Sequence, residues 1–569
     1  MVGAPATQSE EPVLTTLTAS AKTTRTALAM SLAAALAAPL MATPALAAEN
    51  QTTYYSTKQP YSPAAPISSY SQPPAGFKQI YTSTVNRHGS RGLSGFKYDD
   101  LALQMLLEAE KRGQITDLGK RLIPQVKAMT KANEELTGPE TGYGNLTVFG
   151  REELQGIGER NAKRNTELLN AIVGSDAKVK FMSSGEDRAT ESGWEFGRSL
   201  LAAKPELDSH LIDGMEDDHV KIEARTDLLK AHGDKSLDSY ERYAAWEDGE
   251  IVEAKIDEAY AKPASREASQ KLLLKIFTQD FVDGIDDGSL TFTAQNGKNT
   301  VEGVADAALQ FYNLYIIAPA MDREAAKPAE GWIFNEFMDD EIGPTFAYLL
   351  DVEDYYQKGP ANEGETVAYD NYAPLLDHMI QGVKDRAAGG EIAAEYRFSH
   401  SGAIVPLAAL LKLPGSEKGV PADELMTYEN SKWRGDTVDP MGANIQWDAF
   451  QNDQGVTLVR MLYNEAEIPF HAGCMPVVDG SAFYTIEELA DCLPLGSTSD
   501  HSKARPDITP GTDTPAKDGS SKDGSAENGS TGDGSSKPGA IAIAVTAVLA
   551  VLAALGFGAW QLGVIGAGF

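Results

Sequence analysis

Strand-forming segments fall at the two ends of this chain's body and leave its middle helical. "IYTSTV" at 80–85 is rich in β-branched residues and reads as a strand. "KVKFMSS" at 178–184 reads as a second. "REELQGIGERNAKRNTELLNAIV" reads as a helix with Leu154, Ile157, Leu168 and Leu169 as core contacts, and "ATESGWEFGRSLLAA" as another. From 204 to 388 clear strands are lacking. "SQKLLLKIF" and "ADAALQFYNLYIIAPAM" there read as helices, the second with Leu309, Tyr312 and Ile316 on one face. Strand returns with "AEYRFS", helix with "IVPLAALLKL" and strand with "VTLVRMLYN". The order β/α, helical insert, β/α predicts an α/β fold. Its three-layer core is discontinuous, from 77–203 and 389–495, and a largely helical cap domain is inserted at 204–388.

The flanks read differently from the body. Lys22 and Arg25 precede an apolar run and then Ala45-Leu46-Ala47, the layout of a secretory signal over 1–48. Residues 49–76, rich in Pro, Ser and Tyr, read as an extended arm laid on the surface. Residues 496–538 are Gly, Ser, Asp, Lys, Thr and Pro, which cannot bury enough apolar area to fold and read as a flexible linker. Residues 539–569 carry no charge and are long enough for a transmembrane anchor. A tail removed for a lipid anchor is the alternative. The expected location is outside the cell, anchored to its surface.

The formal net charge of −33 argues against nucleic acid as a partner, since a phosphate backbone would be repelled. An anionic substrate would need a local basic pocket. The two cysteines, Cys474 and Cys492, read in an exported protein as a disulfide closing a loop of fewer than twenty residues, worth ~3 kcal/mol.

Three predicted strand-end turns carry such a pocket. "STVNRHGSRG" places His88 just after a strand, between Arg87 and Arg91. Ligands of open α/β sheets bind beyond the carboxyl ends of strands. Gly89 removes a side chain, which lets backbone approach a ligand. Guanidinium forks suit phosphate oxygens and cannot be titrated away. Beside them protonation of His88 is disfavoured, so its imidazole is neutral and nucleophilic. One ring nitrogen should be held by a carbonyl so that the other faces substrate. "SSGEDRATES" puts Arg188 in the turn after a second strand, and "RFSHSGAIVP" puts His400 after a third, with Pro406 in the first turn of the following helix. Helix N-termini add further attraction for an anion.

"RHGSR", the Arg188 turn and the His400 turn resemble the acid phosphatase branch of the histidine phosphatase superfamily. The signature R-H-G-x-R-x-P is present except that Leu93 stands in place of proline. "YYSTKQPYSP", "LTVFGREELQGIGERNAKR" and "LVRMLYNE" with the later Cys pair are similar to multiple inositol polyphosphate phosphatases. The resemblance implies that His88 becomes phosphorylated and the intermediate is hydrolysed by water. Arg87, Arg91 and Arg188 would bind the phosphoryl group and His400 would add a donor. No metal or cofactor is implied, because arginines supply the charge. The substrate would be a small anionic phosphate ester.

One departure matters. The family's general acid usually follows the second histidine, as His-Asp or His-Ala-Glu; here the run is His400, Ser401, Gly402. Leaving-group protonation is typically worth ~10²–10⁴-fold. Three accounts stand open: a carboxylate from elsewhere, with Glu186 and Asp187 the candidates; a substrate with a good leaving group; or a weak or binding-only protein. Three functions follow: an inositol polyphosphate phosphatase, with Lys221, Arg225, Lys230 or Arg242 lining its pocket; a broad acid phosphatase; or a non-catalytic phosphate-binding surface protein.

Overall fold

The computed structural model describes residues 52–138 and 142–493. The expected signal at 1–48, linker at 496–538 and apolar anchor at 539–569 lie outside the described residues. Among the described residues no helix is long and apolar enough to cross a membrane.

Strands β1 (Lys78–Arg87), β2 (Lys178–Ser183), β3 (Ile392–Ser399), β4 (Asn444–Gln451) and β5 (Thr457–Tyr463) form the body of an eight-stranded mixed sheet. The order is β5-β4-β1-β3-β2, with Tyr484–Thr485 on β5 and Glu223–Ala224 on β2. β1, β3 and β2 run parallel, whereas β4 is antiparallel to β1 and β5 to β4. β1 sits at the centre and is buried from Tyr81 to its end, which is why its β-branched run does not alternate with exposed polar residues. Two of its buried hydroxyls are paired: Thr82 donates to Asp448 at 3.0 Å, and Ser83 accepts from Arg397 at 2.6 Å.

The register places the site. Asn86 of β1 and Ser183 of β2 both pair with Phe398 of β3, and Arg87 pairs with Ser399. The carboxyl ends of three parallel strands are therefore level. The turns that leave them, at His88, Ser184 and His400, emerge side by side.

Helices cover both faces. α1 (Val148–Arg164) and α2 (Asp187–Ala203) pack Leu154, Ile157, Phe196 and Leu200 against Phe181, Tyr396 and Phe398. Thr147 caps α1 by accepting from the Gly150 N–H at 3.0 Å. Among the helices that follow α2 are α3 (Gly303–Ile317), α4 (Gly343–Lys358) and α5 (Ala373–Ala387). α5 and then α6 (Ser401–Leu410) cover the opposite face, where Leu375, Met379, Ile404 and Leu407 meet Tyr81, Val85 and Trp447. The result is the expected α/β fold with three layers and helical regions.

α3 is buried nearly all round, not only along its Leu309, Tyr312 and Ile316 face. Its cluster includes Leu101, Met105, Leu122 and Val126 from helices Lys97–Arg112 and Asp117–Glu134. The helical cluster thus draws on chain before residue 204, while α5, inside 204–388, lies on the sheet. A helix goes where its apolar surface is covered, and position in the chain does not dictate that.

The N-terminal arm is more than surface decoration. Ser56 and Thr57 are buried, and the Tyr54 carbonyl accepts from Tyr312 at 2.8 Å. Cys474 and Cys492 form a disulfide with Cα atoms 5.4 Å apart, at the edge of the α5–α6 layer.

Candidate active site

His88 is the first residue after β1 and is almost fully buried. Its N–H donates to the Ser399 carbonyl at 2.9 Å, and its carbonyl accepts from Gly442 at 3.0 Å. Ring Nδ1 lies 2.8 Å from the Gly89 carbonyl. A carbonyl only accepts, so Nδ1 carries the proton and Nε2 keeps its lone pair.

The turn is fixed by close backbone packing. A Cβ on Gly89 would collide with the Gly150 carbonyl oxygen and sit 2.6 Å from Leu154 Cδ2. A Cβ on Gly150 would collide with the Ser90 carbonyl. Gly89 was expected to make room for a ligand; it makes room for the start of α1 instead. The Ser90 amide is held by the buried Glu153 carboxylate at 2.6 Å.

Three guanidinium groups surround His88. Arg87 is buried, donates to the Thr57 carbonyl at 2.6 Å and pairs with Asp439 at 3.0 Å. Arg91 donates to the Gly92 carbonyl at 2.7 Å. No carboxylate ion pair engages Arg91 among the described residues. Arg188, in the first turn of α2, faces Glu186 at 3.7 Å. Burial, then the charges of Arg188, Arg87 and Arg91, hold the His88 imidazole well below the usual histidine range. The same crowding acts on the cations. Burial and the charges of Arg188 and Arg87 push Arg91 down to about 9, still charged at neutral pH.

His400 occupies the N-cap position of α6, its ring centroid 5.3 Å from that of His88. Nε2 is 2.8 Å from Ser184 Oγ, and Nδ1 is buried without a hydrogen-bond partner. With Nε2 accepting from the Ser184 hydroxyl, Nδ1–H is left to donate. Burial, then Arg188 and His88, lower its pKa too. α6 begins at Ser401, about one turn earlier than expected, so Pro406 lies beyond the first turn and cannot donate to the Gly402 carbonyl.

The two candidate acids sit at the start of α2. Glu186 bonds Lys230 as well as facing Arg188. Burial raises its pKa, but the Lys230 hydrogen bond and charge prevail and hold it below the usual carboxylate range. Asp187 is exposed at the first position of the helix. Of the four cations considered as pocket lining, Lys230 joins the site through Glu186. Arg225 pairs with Asp227 at 2.8 Å and Arg242 with Asp370 at 2.6 Å, while Lys221 is exposed.

Three residues near the site escaped the sequence. Asp439 backs Arg87, its carboxyl raised by burial against the pull of Arg87. Lys58 comes from the arm, its ammonium lowered by burial and by Arg87. His232 packs on Gly402. Lys58 lies within the "YYSTKQPYSP" phrase already singled out; Asp439 and His232 sit in loops with no pattern around them. Elsewhere, His471 gathers with Cys474 and Cys492 in the metal-like grouping found among the described residues, but the disulfide consumes both sulfurs.

Comparisons agree with this geometry. The family model described as histidine phosphatase superfamily (branch 2) matches residues 81–464. The multiple inositol polyphosphate phosphatase of Bifidobacterium longum, in its complex with inositol hexasulfate, is 32% identical. That match covers 80% of this chain and 100% of the other, with a TM-score of 0.74. Its complex with phosphate gives the same identity and coverage with a TM-score of 0.75. The phytase from D. castellii is 14% identical over 77% of this chain and 84% of its own, with a TM-score of 0.54, and speaks to the fold alone. A search of curated proteins finds no match. With the family model spanning most of the chain and a solved relative above 30% identity, the chain belongs to branch 2 of the histidine phosphatase superfamily.

Proposed function

We propose that this phosphatase hydrolyses inositol polyphosphates or closely similar multiply phosphorylated molecules through a phosphohistidine at His88. The observation that carries the reading is the neutral His88 ring, with Nδ1 tied to the Gly89 carbonyl and Nε2 left free amid three guanidinium groups. Nε2 attacks phosphorus and the P–O ester bond breaks. Arg87, Arg91 and Arg188 bind the charge on the equatorial oxygens, and His400 donates through Nδ1. Water then attacks the phosphohistidine, the P–N bond breaks and inorganic phosphate leaves. The substrate class is supported by the B. longum relative, whose complex holds inositol hexasulfate, and by the added cations Lys58 and Lys230 near the site. Export and surface tethering belong to the same proposal and rest on the sequence at 1–48 and 539–569.

The test is phosphate release from inositol hexakisphosphate and p-nitrophenyl phosphate, with ³²P trapping at alkaline quench. Wild type should trap acid-labile label, and His88→Ala should trap none and release no phosphate. Gly402 favours a second reading, a protein that binds phosphate without turnover. Absent label and unchanged background release in wild type would leave only that.

A further inference from the structure

We infer that the His232 imidazole delivers the proton to the leaving-group oxygen. This rests on the phosphohistidine reading above. The leaving oxygen of an alkyl phosphate needs a proton, and each carboxylate near the site is otherwise engaged or misplaced. Asp439 is bound to Arg87. Glu186 is bound to Lys230. Asp187 is exposed at the first position of α2.

His232 is placed differently. Its ring fills the space that a side chain at 402 would take: a Cβ there would lie 2.6 Å from Cε1, 2.8 Å from Nδ1 and 3.1 Å from Nε2 of His232. Gly402 is two residues beyond His400, whose ring adjoins His88. Nδ1 of His232 is 2.6 Å from the hydroxyl of Tyr372, a fully buried residue. With Nε2 as the nitrogen that loses and regains the proton, Nδ1 keeps its own, so the hydroxyl accepts from Nδ1–H in the protonated and the neutral ring alike and fixes the ring in both states. It leaves Nε2 to carry the proton that is transferred.

The charged and titratable groups around the ring come from every element packed on it. They are Lys358 at the end of α4, Lys230 on its own loop, Glu186 and Arg188 at the start of α2, His400 at the start of α6, and the rings of Tyr372 and Tyr243. Burial, then Lys358 and Lys230, push its pKa to about 3, with Glu186 pulling the other way. A phosphorylated substrate brings dianionic groups into this same set of cations and raises the ring's proton affinity. The imidazolium then gives its Nε2 proton to the alkoxide as the P–O bond breaks. In the second half, neutral His232 takes one proton from the water that attacks phosphorus, the P–N bond breaks, and both histidines return to their starting states.

The experiment compares leaving groups in His232→Asn. On inositol hexakisphosphate, whose alkoxide needs the proton, kcat should fall by ~10²-fold or more. On p-nitrophenyl phosphate, whose phenolate leaves without one, it should fall by less than about tenfold, with ³²P trapping on His88 retained. The double variant His232→Ala with Gly402→Glu puts a carboxylate into the vacated volume and should restore turnover of inositol hexakisphosphate. Equal losses on both substrates, or undiminished turnover of inositol hexakisphosphate in His232→Asn, would overturn the assignment. Should His232→Asn fail to fold, the double variant decides: no recovery counts against it. Wild type that neither traps label nor releases phosphate would bring down the phosphohistidine reading itself, a different result from any of these.

Discussion

Arg87 and Asp439 form an ion pair at 3.0 Å with both side chains almost wholly removed from water. Arg87 immediately precedes His88 in the chain, and the pair holds one of the three guanidinium groups in place. Breaking it leaves a buried charge without its partner, which costs about 3–5 kcal/mol. Asp439→Ala should therefore lower the denaturation midpoint sharply. Adding Arg87→Met should recover stability but not activity, since the phosphate cradle stays incomplete. Denaturant titration and phosphate release on the two variants check both halves.

Arg188 is the largest single charge acting on His88 after burial. Its pull keeps the ring neutral in acid, so wild type should hold kcat/KM well below pH 6.5. Arg188→Ala removes that charge and lets His88 take a proton at higher pH. The acid limb of kcat/KM should move upward in pH. The plateau should also drop by ~10²–10³-fold, because a donor to the developing charge is lost. A drop without movement of the limb would mean that Arg188 binds phosphate but does not tune the nucleophile.

Gly89 and Gly150 bring two backbones together with no side chain between them. Gly89→Ala puts its methyl group on the Gly150 carbonyl and on Leu154, and one of the two segments must move. Overpacking of this kind costs about 1–3 kcal/mol. Because one of the two segments carries His88 next to Gly89, activity should fall far more than stability. Thermal unfolding and kcat on p-nitrophenyl phosphate, measured together, separate the two effects.

The parts of this site legible in the sequence are those with a local signature. A β-branched run marks β1, short apolar stretches mark β2 and β3, and the turn after each strand marks where a ligand meets an open sheet. His88, Arg188 and His400 were found in this way, and the level strand ends explain why they meet. Asp439 and His232 were not legible because neither lies at a strand end. Each reaches the site through tertiary packing, one behind Arg87 and the other against Gly402. The role of Gly89 was misread for the same reason: a glycine announces close approach, but not what approaches. The start of α6 was placed late because Pro406 was taken as a first-turn marker, whereas the helix begins at Ser401.

His378 gives a pH test that does not involve the nucleophile. Its Nδ1 accepts from Arg397 at 2.8 Å, and only the neutral ring can do so. Burial and then the Arg397 charge push its pKa down to about 4. The unfolded chain binds a proton on this residue near pH 6.5 and the folded chain does not until about 4. In that window the unfolded state holds more protons, so the contribution of His378 is full above pH 6.5 and is lost as pH falls toward 4. His378→Asn keeps an acceptor for Arg397 in its amide oxygen but does not titrate. Its stability relative to wild type should therefore rise as pH is lowered through this window and level off at either side. Denaturation midpoints of the two proteins at half-unit pH steps test this. A difference that stays constant with pH would show that the ring is not held neutral by Arg397.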